Sequence, residues 1–215
     1  MKKLVIFDLD GTLLNTIDDL GTAANYALEK MGYTTHEISK YPFFVGNGVM
    51  RLFERVLPEN ARSEENVLLM RKHFMEYYDE HNTDLTRPYP GIVELLQNLT
   101  SNGVKIAVAS NKYQKAVEKL IEYYFSAFNW AAVEGQKDEY PVKPDPSIVF
   151  DILSKSPVEK SHVLYVGDSG VDMETARRAC VDSVGVTWGF RPLSELQEFH
   201  ANNIVSSPAE ILPLI

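Results

Sequence analysis

Leu4-Val5-Ile6-Phe7-Asp8-Leu9-Asp10-Gly11-Thr12-Leu13 decides the reading of this chain. Four apolar residues in a row read as a strand buried on both faces, as in a parallel sheet. The run ends in two acids separated by one residue, so both carboxylates can face the same side as the chain leaves the strand. Two carboxylates about 4 Å apart repel by roughly 4 kcal/mol at an effective dielectric near 20, and folding tolerates that only with a proton or a cation between them. Gly11 then permits a sharp backbone turn. An EF-hand calcium loop is excluded, because no helix enters the segment and its twelfth position is Asp19 instead of a bidentate Glu.

Outward from this segment, apolar runs alternate with helix-period stretches, the pattern of an α/β protein with a parallel sheet. Lys105–Ala109, Val163–Val166 and Ser183–Val186 read as further strands and Ile204-Val205 as a short edge strand. Helices are expected at about Gly91 to Asn102, Gln114 to Tyr124, Pro146 to Ser154 and Met173 to Cys180. The stretch from Asn15 to about Thr86 breaks the alternation. Its apolar residues recur at three and four positions (Leu20, Ala23, Ala24, Ala27; Val67, Met70, Phe74, Tyr77) and predict four helices, Ile17–Met31, Ile38–Phe44, Gly48–Val56 and Glu64–Asn82. A helical block between the first strand and the rest of a sheet is an insertion. The expected division is 1–14 with 87–215 as the core and 15–86 as the inserted helical domain, closed by the stiff turn Arg87-Pro88-Tyr89-Pro90-Gly91.

Ligands of open parallel sheets bind at the carboxyl ends of the strands. Asp8, Ser110 and Asp168 each follow a predicted strand, so three distant segments converge on one edge. Asp8, Asp10 and Asp168 make an all-oxygen site for a hard cation, for which magnesium is the natural occupant. The five histidines (His36, His73, His81, His162, His200) are dispersed without ligand spacing, which argues against zinc. Lys143, in Lys143-Pro144-Asp145-Pro146, supplies a firmly mounted positive charge suited to phosphate.

The bulk properties agree. The 215 residues suffice for one cored domain and a smaller one, and 45% hydrophobic with 24% charged residues is ordinary for globular proteins. The net charge of -9 disfavours nucleic acid and requires any phosphate site to supply its own local cations. No apolar run approaches a membrane span, no signal peptide is recognisable, and the single cysteine, Cys180, suits a reducing compartment; a cytoplasmic location is expected, with Cys180 a small buried hydrophobe.

Four motifs in order carry a resemblance. Asp8-Leu9-Asp10-Gly11-Thr12-Leu13, Val108-Ala109-Ser110-Asn111-Lys112, Lys143-Pro144-Asp145-Pro146 and Gly167-Asp168-Ser169 through Asp172 are similar to those of the haloacid dehalogenase superfamily of phosphatases, in its phosphoglycolate phosphatase-like branch. The resemblance implies a Rossmann-like three-layer α/β/α core with an inserted α-helical cap. It further implies that Asp8 attacks phosphorus to form an aspartyl-phosphate while Asp10 acts as acid and then base. Ser110, Asn111 and Lys143 would bind the phosphoryl group. Magnesium would be held by Asp8, the backbone carbonyl of Asp10, and Asp168, with Asp172 as ligand or just behind them. The dehalogenases of the superfamily lack the second acid, so Asp10 favours phosphoryl transfer; sugar-phosphate mutases keep both acids, but commonly carry Val or Ile where this chain has Thr12. In the cap, Asn47 of Gly46-Asn47-Gly48 and Arg51 are the expected readers of a small anion such as 2-phosphoglycolate. The alternatives are a sugar-phosphate mutase or phosphatase, and an inactive phosphate-binding relative. The partner implied is a small phosphorylated metabolite, bound by a monomer or homodimer. Two departures stand out: Asn15 where relatives commonly have Asp, and Cys180 where they commonly have Gly.

Overall fold

A computed structural model describes residues 1–137 and 141–215. Strands β1 (Leu4–Phe7), β4 (Lys105–Tyr113), β5 (Ala132–Gln136), β6 (Val163–Gly167), β7 (Asp182–Val186) and β8 (Asn203–Val205) form one sheet; β2 (Leu14–Asn15) and β3 (Arg87–Pro88) pair separately. The six-stranded sheet is parallel throughout, in the order β5-β4-β1-β6-β7-β8. The fold is α/β with a parallel sheet, as the alternation of runs predicts, and Rossmann-like, as the family resemblance implies. Successive β1 side chains face opposite layers. Val5 and Phe7 pack in a cluster with α4 (Ile92–Ser101) and α5 (Gln114–Phe125), while Leu4 and Ile6 pack with α6 (Ser147–Lys155) and α7 (Gly170–Ala179). Both faces are dry, which is why β1 lacks a polar alternation.

β1 lies between β4 and β6, so the chain leaves it towards one half of the sheet and later fills the other. This is the switch point at which such sheets hold ligands. Its ladders end at Phe7↔Val108 and Phe7↔Val166. Asp8 and Asp168 therefore leave their strands at a common edge, with Ser110 on β4, which runs on past the end of β1.

Helices α1 (Ile17–Lys30), α2 (Val49–Val56) and α3 (Glu64–His81), with 3-10 turns at Ile38–Phe43 and Glu59–Ala61, surround a second core of Leu20, Ala24, Leu52, Phe53, Met70 and Phe74. The two crossings between this block and the sheet run antiparallel, as β2 and β3 (Leu14↔Pro88, Asn15↔Arg87). Asp19 fixes the second crossing, accepting from the Leu85 N–H at 3.0 Å and the Thr86 N–H at 2.8 Å. Asn15, the first departure, accepts weakly from the Ile17 N–H at the start of α1 (3.4 Å).

Three expectations are corrected. β5 escaped the sequence reading because Ala-Val-Glu-Gly-Gln lacks a strand pattern; pairing to β4 imposes it (Ala107↔Ala132, Ala109↔Glu134). β4 does not stop at Ala109 but continues to Tyr113 through an irregular register, so Ser110 lies within the strand. Cys180 is exposed, and it ends α7 at φ 59°, the left-handed conformation a helix terminus favours in glycine. Among the described residues, no helix is long and apolar enough to cross a membrane.

Candidate active site

The first turn after β1 is fixed by close approach. Gly11 has φ 89°, and a Cβ there would sit 2.4 Å from Asp168 Oδ2. Opposite, a Cβ on Gly189 would fall 2.4 Å from the Gly11 carbonyl. Two glycines thus let the first and fourth motifs touch. Phe190, next along, donates its N–H to Asp168 Oδ2 at 2.7 Å, and Trp188 Nε1 donates to the Thr12 carbonyl at 3.1 Å.

Lys143 is the centre of the charge arrangement. Its Nζ lies 3.0 Å from Asp8 Oδ1 and 2.7 Å from Asp172 Oδ1, and donates to the Ala109 carbonyl at 2.9 Å. Tyr165 OH, on β6, stands 3.1 Å from the same nitrogen. Burial works against the ammonium, but the Asp172 and Asp8 carboxylates outweigh it and hold Lys143 protonated well above the ordinary lysine range. Asn111 fixes the lysine's backbone: its Oδ1 accepts from the Lys143 N–H at 2.8 Å and its Nδ2 donates to the Lys143 carbonyl at 3.1 Å.

Asp8, Asp168 and Asp172 each offer an oxygen within 4.8 Å of the others. Burial pushes the Asp8 carboxyl up to about 7; Lys143 opposes that push, and Asp172 and Asp10 add to it. Burial also raises Asp168 well above the usual carboxylate range, helped by Asp172 and Asp8. Crowded, dehydrated oxygens of this kind suit a hard divalent cation, so the residues fit magnesium. The Asp172 carboxylate is already engaged on both sides, since Oδ2 accepts from Ser169 Oγ at 2.6 Å in the capping box of α7. It anchors Lys143 and the helix start.

The raised carboxyls set a sign for metal-free protein. A carboxyl whose folded pKa exceeds its unfolded value stabilises the fold fully below the unfolded pKa, near 3.8 for Asp8, and loses that contribution as pH climbs through about 7. In chelator, the melting temperature is expected to fall by several degrees between pH 5.5 and 8, and magnesium is expected to restore more at pH 8. Equal restoration at both values would contradict it.

Asp10 stands apart from this group. Lys112 Nζ contacts both of its oxygens at 3.0 Å, and Thr16 Oγ1 donates to Oδ1 at 2.7 Å. Lys112 is buried and lies 5.0 Å from the centre of the Tyr78 ring on α3, so the helical block covers the pair. In the sequence Lys112 closes the second motif, and nothing in its spacing ties it to Asp10. Its place in that motif, two residues after Ser110, is the one signal the sequence holds.

The helical block closes the cleft. Asn111 Nδ2 donates to the Gly46 carbonyl at 3.2 Å, Arg191 Nη2 to the Val45 carbonyl at 2.9 Å, and Tyr113 OH to Asp79 Oδ1 at 2.5 Å. The structure brings Asp8, Asp10, Ser110, Asn111, Lys143 and Asp168 to the cleft wall, with Gly46 and Gly48 opposite. It does not bring Arg51 there: that side chain is 65% exposed and pairs with Glu54 at 2.6 Å. Nor does Asn47 line the cleft; its Oδ1 accepts from Arg55 Nη2 at 2.7 Å and stiffens the loop. Asn47 lies between the lining residues Gly46 and Gly48, and Arg51 sits on the outward face of α2.

Comparison with known proteins agrees with this geometry. Residues 5–186 match the model of the haloacid dehalogenase-like hydrolases. A phosphoglycolate phosphatase of Aquifex aeolicus is 31% identical, with 99% of this chain and 96% of the relative covered. Another, from Mesorhizobium japonicum, is 31% identical over 95% of this chain and 91% of the relative. The crystal structure of a candidate phosphoglycolate phosphatase from Lactobacillus delbrueckii subsp. bulgaricus superposes with a TM-score of 0.93 at 33% identity, covering 100% of this chain and 99% of that one.

Proposed function

The chain belongs to the haloacid dehalogenase-like hydrolases and is a phosphoric monoester hydrolase of that family; from this premise we propose that it is a magnesium-dependent phosphatase working through a phosphorylated Asp8. The observation that carries the proposal is the seating of Asp8 against Lys143 at 3.0 Å, inside a group of carboxylates that needs a cation. We read 15–86 as the cap and the remainder as the catalytic core. The substrate is a small phosphorylated metabolite, and 2-phosphoglycolate, the compound in the relatives' names, is the one to test first.

Asp8 attacks phosphorus, forming the Asp8 O–P bond as the ester P–O bond breaks. Lys143 and the Ser110 hydroxyl hold phosphoryl oxygens during transfer. Asp10 gives a proton to the departing alcohol oxygen, then takes one from the water that attacks the aspartyl-phosphate, releasing inorganic phosphate and free Asp8. Asp8, Asp168 and the Asp10 carbonyl, with Asp172 behind them, would hold magnesium, which would supply positive charge against the phosphoryl oxygens. Most of the acceleration then comes from positioning and charge, as in phosphoryl transfer generally. Release of phosphate from p-nitrophenyl phosphate with magnesium, abolished by chelator, tests the reaction class. No release at any pH would refute it.

Lys112 holds Asp10 in place for both proton transfers. Lys112→Met is expected to lower kcat/KM for alkyl phosphates about 10-fold or more, while aryl phosphates, whose leaving groups need little protonation, change much less. An equal loss on both substrate types would show that Lys112 does not act through Asp10.

A further inference from the structure

The cleft has two unlike walls. On the sheet side it presents Asp8, Asp10 and Asp168; on the side of the helical block it presents Leu20, Val49, Leu52 and Phe74. Among the described residues, the cations lining it are Lys112, Lys143 and Arg191. Both lysines are committed to carboxylates at 3.0 Å or less. Arg191 is not. Its nearest carboxylate, Glu195, stands 3.8 Å from Nε, and one Nη2 hydrogen bond goes to the Val45 carbonyl. A guanidinium has five N–H groups, so donors remain. The side chain is only 14% exposed, and its charge is therefore weakly screened by solvent.

Placement adds to this. Phe190, the preceding residue, donates its N–H to Asp168, which ties the Arg191 backbone to the phosphoryl end. The guanidinium reaches the opposite side, where Nη2 would lie 3.3 Å from a Cβ on Gly46. It thus stands between the reacting acids and the loop that covers them.

We infer that Arg191 is the residue that selects a carboxylate on the substrate's leaving group, so that the cleft takes a short carboxylated phosphate ester over a sugar phosphate. A polyol leaving group would strand hydroxyls against Leu20, Val49, Leu52 and Phe74. A carboxylate matches the planar fork of an arginine that has donors to give. This rests on the phosphatase reading above, and it moves the anion-reading task from Arg51 on the block to the loop after β7.

The test compares 2-phosphoglycolate with ethyl phosphate, which has the same ester and no carboxylate. Wild-type protein is expected to favour 2-phosphoglycolate in kcat/KM. Arg191→Gln is expected to cost that substrate about 100-fold while changing ethyl phosphate less than about threefold, and Arg191→Lys to recover part of the loss. A parallel loss on both substrates would mean that Arg191 serves only to hold Val45, and overturns the inference. So does a wild-type protein that hydrolyses both compounds equally, a result that needs no variant and leaves the phosphatase reading standing. Failure on p-nitrophenyl phosphate as well would overturn both.

Discussion

Asp8→Asn is expected to reduce turnover at least about 10³-fold while leaving the metal-free protein as stable as the parent or more so. The amide keeps the shape of the carboxylate but is a poor nucleophile. Burial is what chiefly lifts the Asp168 carboxyl, and removing the Asp8 charge takes away one of the neighbouring charges that add to it. Lys143 keeps its 2.7 Å contact with Asp172, so no buried ammonium is orphaned. Activity and stability therefore move in opposite directions, which steady-state kinetics beside thermal melts will show. Retained activity would remove the nucleophile assignment; a large drop in stability would remove the account of the charges.

Lys143→Met is expected to fail in both respects. The side chain is almost completely buried between Asp8 and Asp172, and its loss strands two dehydrated carboxylates. Breaking such a buried pair costs about 3–5 kcal/mol, which for a chain of this size lowers the melting temperature on the order of 10 °C. Magnesium should return part of that stability, because a cation beside Asp8 and Asp168 replaces some of the lost charge, yet turnover should stay low. Wild-type melting of the metal-free variant would show that Lys143 does not hold these acids together.

The helical block and the acidic edge were legible because each rests on local pattern. The apolar stripes of α1 and α3 have helical period and bury Leu20, Ala23, Ala24, Ala27, Val67, Met70 and Phe74, while Tyr77 stays partly buried and Tyr78 takes the interior place. Asp8 and Asp168 follow short apolar runs, rich in Val, Ile and aromatic residues, that read as strands. What escaped detection depends on contacts between distant segments. β5 is a strand only because β4 pairs with it. Tyr165 looks like one more member of an apolar run, although its hydroxyl meets Lys143. Lys112 and Arg191 are single cations whose tasks depend on Asp10 and Val45, 102 and 146 positions away. Arg51 shows the converse: the spacing puts it near a glycine loop, and the face of α2 that carries it turns to solvent and to Glu54.

The central claim is that the phosphoryl group passes through Asp8. Rapid acid quench of the enzyme during turnover of a substrate labelled in its phosphate, followed by peptide mapping, tests it directly. The account predicts hydroxylamine-labile label on the peptide carrying Asp8, appearing before free phosphate and disappearing into it. Turnover with that peptide unlabelled throughout the first cycle, or label on Ser110 instead, would contradict it.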